Sequence, residues 1–342
     1  MSELRINNIT DRAGSSGPII AGVSTVSSIS HMVMPSGPTE MRGGRGRGVI
    51  GGGHPGPQNT IDLIEIATEG NASDFGDLTT ATRNIACCAS STRGTFAGGQ
   101  TPSNTNIIGY VTISSNGGAN DFGDLTQATT NSNDGVVSDN TRGIIMIGND
   151  DATNQGALQF ITIATTGDAS DFGEVAKRRH AASMSSPVRS VFCSGKNDTT
   201  SAYIKTIDFI ITQTGGESTT FGETVIATEQ SCGAGNATRG LIAGGFNPSF
   251  SPDTRVNQIQ FITLATEGNA TDFGDLTATR FGIASASSST RACFAGGSQP
   301  GTQNVIESVT IGSAGNATDF GDLTRYATVA GGLSDVHGGL GD

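Results

Sequence analysis

Six segments share one pattern of apolar and polar positions: residues 61–66, 108–113, 158–163, 207–212, 259–264 and 306–311. The pattern is apolar, polar, apolar, apolar, polar, apolar, broken at Ile211-Thr212 and at Ser308, and the segments are rich in Ile, Val and Phe. β-branched and aromatic residues in so short a run predict a strand with both faces partly covered. Nine residues after each segment ends comes a Phe followed by Gly and an acid, as in Asp74-Phe75-Gly76-Asp77. The column is Phe75, Phe122, Phe172, Phe221, Phe273 and Phe320, with steps of 47, 50, 49, 52 and 47 residues. Upstream of each Ile-rich segment an arginine opens another short run: Arg47, Arg93, Arg142, Arg189, Arg239 and Arg291. That run ends in glycines, as in Arg93-Gly94-Thr95-Phe96-Ala97-Gly98-Gly99. A fourth column of small and apolar residues precedes the arginines from Arg93 onward, for example Ile85-Ala86-Cys87-Cys88.

Four short strands per period of about 50 residues, separated by Gly/Asn/Ser turns, describe one blade of a β-propeller. We label the strands a (small residues), b (Arg to Gly-Gly), c (Ile-rich) and d (Phe-Gly-acid). Strands b, c and d occur six times. Strand a is missing before Arg47, where Pro35-Ser36-Gly37-Pro38 is unsuited to a central strand. The sixth copy of strand a is expected at the other end of the chain, in residues 326–332, beside residues 47–53. The fold expected is therefore all-β: a six-bladed propeller in residues 45–342, closed by the C-terminal strand, which leaves no open sheet edge. The repeats lie near 45–90, 91–138, 139–186, 187–236, 237–288 and 289–323, with 324–342 completing the first blade. Residues 1–44 form a short N-terminal arm, too short and polar to bury a core alone.

The spacing also divides the two faces of the ring. The c–d interval never varies, whereas the distance from the arginine to strand c runs 14, 15, 16, 18, 20 and 15 residues. The b–c and d–a loops lie on one face, and that variable face is the expected contact surface. Its longest loop, 246–252, offers Phe246, Asn247 and Phe250 as candidate contact residues.

Composition narrows the function. The formal charge is −12, which argues against a nucleic-acid partner. No apolar run reaches the length of a membrane span, so membrane insertion is not expected. The five cysteines are odd in number and form no CxxC pair, so they read as small buried hydrophobes. With 50 Gly, 10 Pro and no periodic Gly, the chain is not collagen-like. Asp-Phe-Gly matches the magnesium-binding triplet of kinases, but six copies in a β repeat point to structure. On that reading Phe wedges between blades, Gly permits a bend, and the acids cap N–H groups or pair with the repeated arginines. A hard cation at Asp74 with Asp77 and their repeats is the metal alternative. No catalytic triad, metal cluster or cofactor motif is evident, and the four histidines occupy different repeat positions. Asn71-Ala72-Ser73, Asn269-Ala270-Thr271 and Asn316-Ala317-Thr318 match a glycosylation pattern, but turn chemistry accounts for them.

The period and the Gly-Gly doublet resemble kelch repeats. More closely, the Asp-Phe-Gly-Asp-Leu-Thr and Thr-Arg-Gly…Ala-Gly-Gly units over residues 45–334 resemble the kelch-like repeat proteins of marine and cyanobacterial tailed phages. That resemblance implies a non-enzymatic structural protein of the virion, tail-associated or fibre-like, made in the host cytoplasm. It implies docking to other virion proteins, or self-association, through residues 1–44, and a loop face open to a host surface receptor. Kelch blades ordinarily carry a Trp, and this chain has none. Two other readings stay open: a propeller enzyme acting on carbohydrate, and a cellular kelch-type interaction module. An enzyme would need Arg, Tyr, Glu or metal ligands converging at the funnel.

Overall fold

The computed structural model describes residues 46–130, 136–148, 155–250 and 253–340. The docking arm expected at 1–44 lies outside them. Six four-stranded antiparallel sheets form, each in the order a-b-c-d. Blade 1 consists of Gly331–Ser334, Arg47–Gly51, Gln58–Glu65 and Ser73–Thr82. Blade 2 consists of Ala86–Ala89, Arg93–Ala97, Thr105–Thr112 and Asn120–Thr129. In blade 3 the strands are Val136–Ser138, Arg142–Met146, Ala157–Thr162 and Ser170–Glu174. In blade 4 they are Ala182–Ser185, Arg189–Cys193, Thr206–Ile211 and Thr219–Glu223. Blade 5 uses Cys232–Gly235, Arg239–Ala243, Gln258–Thr263 and Thr271–Asp275, and blade 6 uses Ala284–Ser287, Arg291–Ala295, Val305–Thr310 and Thr318–Asp322. Strand a of each blade packs against strand a of the next, and blade 6 meets blade 1, so the ring is closed.

Closure is made by the expected segment with a different register. Residues 326–330 cross between blades, with Thr328 bridged to His54, and the pairing strand is Gly331–Ser334. Gly48 faces Ser334 and Val49 faces Leu333. The chain needs the extra residues to pass from the rim of blade 6 to the axis. Two short ribbons, Lys196–Asn197 with Ala202–Tyr203 and Ser298–Gln299 with Gly301–Thr302, were not foreseen. Both sit in b–c loops, where the length varies.

The hydrophobic core lies between the blades. Val49, Ile61, Phe75 and Leu78 of blade 1 pack with Phe96, Val111 and Ile113 of blade 2, and the same arrangement recurs around the ring. All six column phenylalanines are buried in these seams, as the wedge reading requires. All five cysteines are buried free thiols. Burial pushes the Cys88, Cys193 and Cys293 thiols up to about 12.

The glycine after each Phe serves the neighbouring blade more than its own bend. The c–d turn of the next blade lies along strand d and bonds to it twice. Its glycine N–H donates to the Phe carbonyl at 2.8–3.0 Å, as from Gly117 to Phe75 and from Gly315 to Phe273. Two residues on, a second N–H donates to the acid's carbonyl at 2.7–2.9 Å, as from Ala119 to Asp77 and from Ala317 to Asp275. At Gly274, φ is +151° and a Cβ would overlap the backbone of Gly315. Gly274→Ala should therefore destabilise by about 2–3 kcal/mol. Gly315→Ala, with open space around it, should change stability by no more than ~0.5 kcal/mol. Equal melting temperatures for the two variants would reject this role for the column.

Candidate functional site at the loop face and central channel

Most of the repeated polar side chains are occupied between blades. Each column arginine reaches across the seam: Nη1 donates to a backbone carbonyl just past strand c of the next blade at 2.5–3.3 Å. The acceptors are Ile113, Ile163, Gln213, Leu264, Ile311 and Ile66 for Arg47, Arg93, Arg142, Arg189, Arg239 and Arg291. The guanidinium also stacks on rings of its own blade, for example Arg93 over Tyr110 at 4.3 Å and Arg239 over Phe261 at 4.5 Å. The expected pairing with the acids of the Phe-Gly-acid column is thus corrected. The acids that these arginines meet among the described residues are Glu65, Glu267 and Glu69, on strand c or the c–d turn. Asp77, Asp124, Glu174 and Glu223 are exposed. Among the described residues no side chain of those acids is seen to cap an N–H group; instead the N–H of Asp322, Glu223 and Asp275 is capped by Asn71, Asn269 and Asn316 of the next blade, each at 3.0 Å. That bond gives the asparagines of the three N-x-S/T matches a structural task.

A carbonyl acceptor and a ring face suit a planar guanidinium better than an ammonium. Arg93→Lys should therefore lose about 1–2 kcal/mol, read as a lowered melting temperature, and Arg93→Ala about 1–3 kcal/mol. Full stability in the lysine variant would show that charge alone matters there.

A further column was missed in the sequence. The second position of strand c carries Asp62, Gln159, Asp208, Gln260 and Glu307, all buried. Three of these acids meet an arginine that follows the preceding Phe by five to seven residues. Arg178 contacts Asp208, Arg280 lies 2.8 Å from Glu307, and Arg325 lies 2.5 Å from Asp62. The two glutamines bond instead to Thr126 and to the N–H of Val225. Burial pushes the Asp62 and Asp208 carboxyls up, against the pull of Arg325 and Arg178, and pushes both guanidinia down. An acid in an otherwise apolar strand was the available signal.

Around the axis, strand a supplies small side chains that bond from blade to blade. Ser138 Oγ donates to the Ala89 carbonyl, Ser185 to Ser138, Ser287 to Gly235 and Ser334 to Ser287. These residues line a central cavity of about 70 Å³. The C-terminal turn Gly338–Leu340 and His337 close it at the a–b turn end, with His337 Nε2 3.0 Å from the Ala89 carbonyl and 3.1 Å from Ser138 Oγ. Nδ1 of His337 accepts from the Gly339 N–H, so Nε2 carries the proton. Burial pushes this imidazole's pKa down.

At the opposite end a belt of backbone bonds runs along the mouth from blade to blade among the described residues. Asn84 N–H donates to Val329, Val329 to Gly282, Gly282 to Gln230, and Gln230 to His180, at 2.7–3.1 Å. Each of these five residues has φ between +49° and +63°, the left-handed conformation that turns its N–H along the ring. The residue corresponding to them in blade 3 lies in 131–135, outside the described residues.

The variable loops rise outside this belt. The described residues of the candidate contact loop are less exposed than expected. Phe246 is half-buried and packs at a tilt of 58° against Phe281, with ring centres 5.7 Å apart. Asn247 is buried, donating to the Ala227 carbonyl at 2.7 Å and accepting from the Ser249 N–H at 2.9 Å. Phe250 is half-buried. Exposed aromatic contact residues are therefore not what this loop offers. Residues 251–252 lie outside the described residues.

One convergence of Arg, His, Tyr and Glu does occur, from three separate loops. Glu229 accepts from Tyr203 Oη at 3.1 Å and lies 3.2 Å from His180 Nδ1 and 3.3 Å from Arg179 Nε. Burial pulls the Glu229 carboxyl up, but His180, Arg179 and Tyr203 outweigh it and hold it below its ordinary value. Burial pushes His180 down, and burial together with Glu229 pushes Tyr203 up to about 12. With Glu229 buried and both oxygens engaged, the cluster ties loops 179–180, 198–203 and 229 together. No spacing in the sequence announces it, because its members are distant in the chain. Among the described residues, no group of three or more His, Cys, Asp or Glu side chains is placed to hold a metal, Asp74 and Asp77 included.

Comparison with protein-family models finds no match for this chain, and comparison with curated proteins finds none either.

Proposed function

We propose that this chain is a non-enzymatic structural protein of a phage particle, tail-associated or fibre-like, that carries a rigid propeller and presents its loop face outward. One observation carries the reading. The repeated arginines, phenylalanines and most other repeated polar positions are engaged between blades, so variation in length and charge collects on the b–c and d–a loops. A scaffold whose repeats are committed to holding itself together, with one variable face, is suited to display. The resemblance of its repeat units to phage kelch-like proteins supports the particle assignment. Residues 1–44 are the attachment to other virion proteins or to a second copy, and the loop face is the surface for a host receptor. Mass spectrometry of purified particles should detect the full chain. A chain lacking residues 1–39 should melt like the full chain yet be absent from particles. Absence of the full chain from particles would overturn the virion reading, and normal incorporation of the truncated chain would move the anchor to the blades.

A further inference from the structure

The open cavity at the loop face between blades 1, 5 and 6 carries a specific ligand chemistry. It measures about 450 Å³, within the range of small-ligand sites, and is lined by His54, Arg83, Arg255, Phe281, Thr302 and Thr328 among others, with no acidic residue in its wall. That is unusual in a chain of net charge −12. The basic groups are held in place. Arg83 gives Nε and Nη2 to Gln100 Oε1 at 3.0 and 2.7 Å, which turns Nη1 toward His54 Nδ1 at 3.3 Å. His54 Nδ1 also accepts from the Gly56 N–H at 2.9 Å, so the proton of the neutral ring sits on Nε2 as a donor. Arg255 is fixed through Nε by Asp253 at 3.0 Å, and its Nη groups carry no hydrogen bond among the described residues. Phe281, braced by Phe246, adds an aromatic face.

We propose that this cavity binds an anionic saccharide. Two guanidinia and an imidazole N–H suit an acidic group, because a guanidinium meets a carboxylate, sulfate or phosphate with paired donors. The aromatic wall takes the apolar face of a sugar ring, and the volume accommodates one or two sugar units. The cavity is built by the loops whose lengths differ most, including the longest, between Arg239 and strand c of blade 5. The inference rests on reading this face as the contacting one, and it does not depend on which particle carries it.

The test is calorimetric titration of the full chain with three probes of equal length: an oligogalacturonate, a neutral oligogalactose and a sulfated oligogalactose. The expected result is saturable binding of an acidic probe, at least tenfold tighter than the neutral one, weakening as salt is raised. Binding of the uronate identifies a carboxylate as the anion, and binding of the sulfated probe alone identifies a sulfate; either supports the site. Arg255→Gln and Thr302→Glu should each weaken that binding at least tenfold with an unchanged melting temperature. Arg83→Gln should do the same, and the other two variants decide the matter if it melts early. Equal binding of all three probes, binding of none, or unaltered binding by Arg255→Gln and Thr302→Glu would overturn the proposal. Failure here with the chain still present in particles would leave the virion reading standing.

Discussion

Removal of residues 324–342 should lower the melting temperature by at least about 10–15 °C and broaden the transition. The segment supplies strand a of blade 1, so its loss exposes strand Arg47–Gly51 along its whole inner edge. Leu333 leaves a core shared by blades 1 and 2, where burying one such side chain contributes about 1.5–3 kcal/mol. Arg325 leaves Asp62, which is 0% exposed, with a charge and no cationic partner, at about 3–5 kcal/mol. Together these approach the whole stability of an ordinary domain, about 5–15 kcal/mol. For a chain of this length each kcal/mol moves the midpoint by roughly 2 °C. Thermal melting followed by circular dichroism reads the effect directly, and a shift below about 3 °C would mean that the C-terminal segment does not close the ring.

The second large effect is expected at Arg178. Its side chain is 0% exposed and gives its N–H groups to the carbonyls of Ala176, Phe192, Ser194 and Thr206 as well as to Asp208. Arg178→Met should cost about 3–5 kcal/mol, because Asp208, 3% exposed, is left as a buried charge. The double variant Arg178→Met with Asp208→Leu should recover most of that loss, since apolar packing frequently replaces a buried pair at little cost. The pH dependence follows from the raised Asp208 carboxyl. An acid whose folded pKa lies above its unfolded value binds its proton more tightly when folded, so it destabilises as pH rises through the folded pKa. The deficit of Arg178→Met relative to the parent should thus be largest at neutral pH and shrink as pH falls toward the ordinary value of 3.8. A deficit that grows on acidification would show that Asp208 is not the buried charge responsible.

Much of the architecture is legible in the sequence because each blade repeats the same physical need. The Phe-Gly-acid and Arg columns mark strands d and b, and the unmatched strand a at the C-terminus implies closure. The register at Gly331–Ser334 is not legible, since 326–332 and 331–334 are equally small and apolar and only the crossing from rim to axis decides between them. The partner of the arginines is not legible for a related reason. Charge complementarity suggests the acids in the same period, whereas the geometry of the seam offers carbonyls of the next blade, which have no sequence signature. The clasp of Arg178 with Asp208 was readable from an acid within an apolar strand and an arginine after the preceding Phe. The cavity at His54, Arg83 and Arg255 was not, because its residues come from loops of three blades and share no spacing.

Six blades form one body held by bonds between neighbours, including the backbone belt at the mouth and the C-terminal strand. Hydrogen–deuterium exchange of the full chain measures this most directly. The amides of Gly331 and Leu333, and of Asn84, Gln230, Gly282 and Val329, should exchange as slowly as those of strands b and c, through a common global opening. Fast exchange across 326–334, with the remaining blades protected, would contradict it.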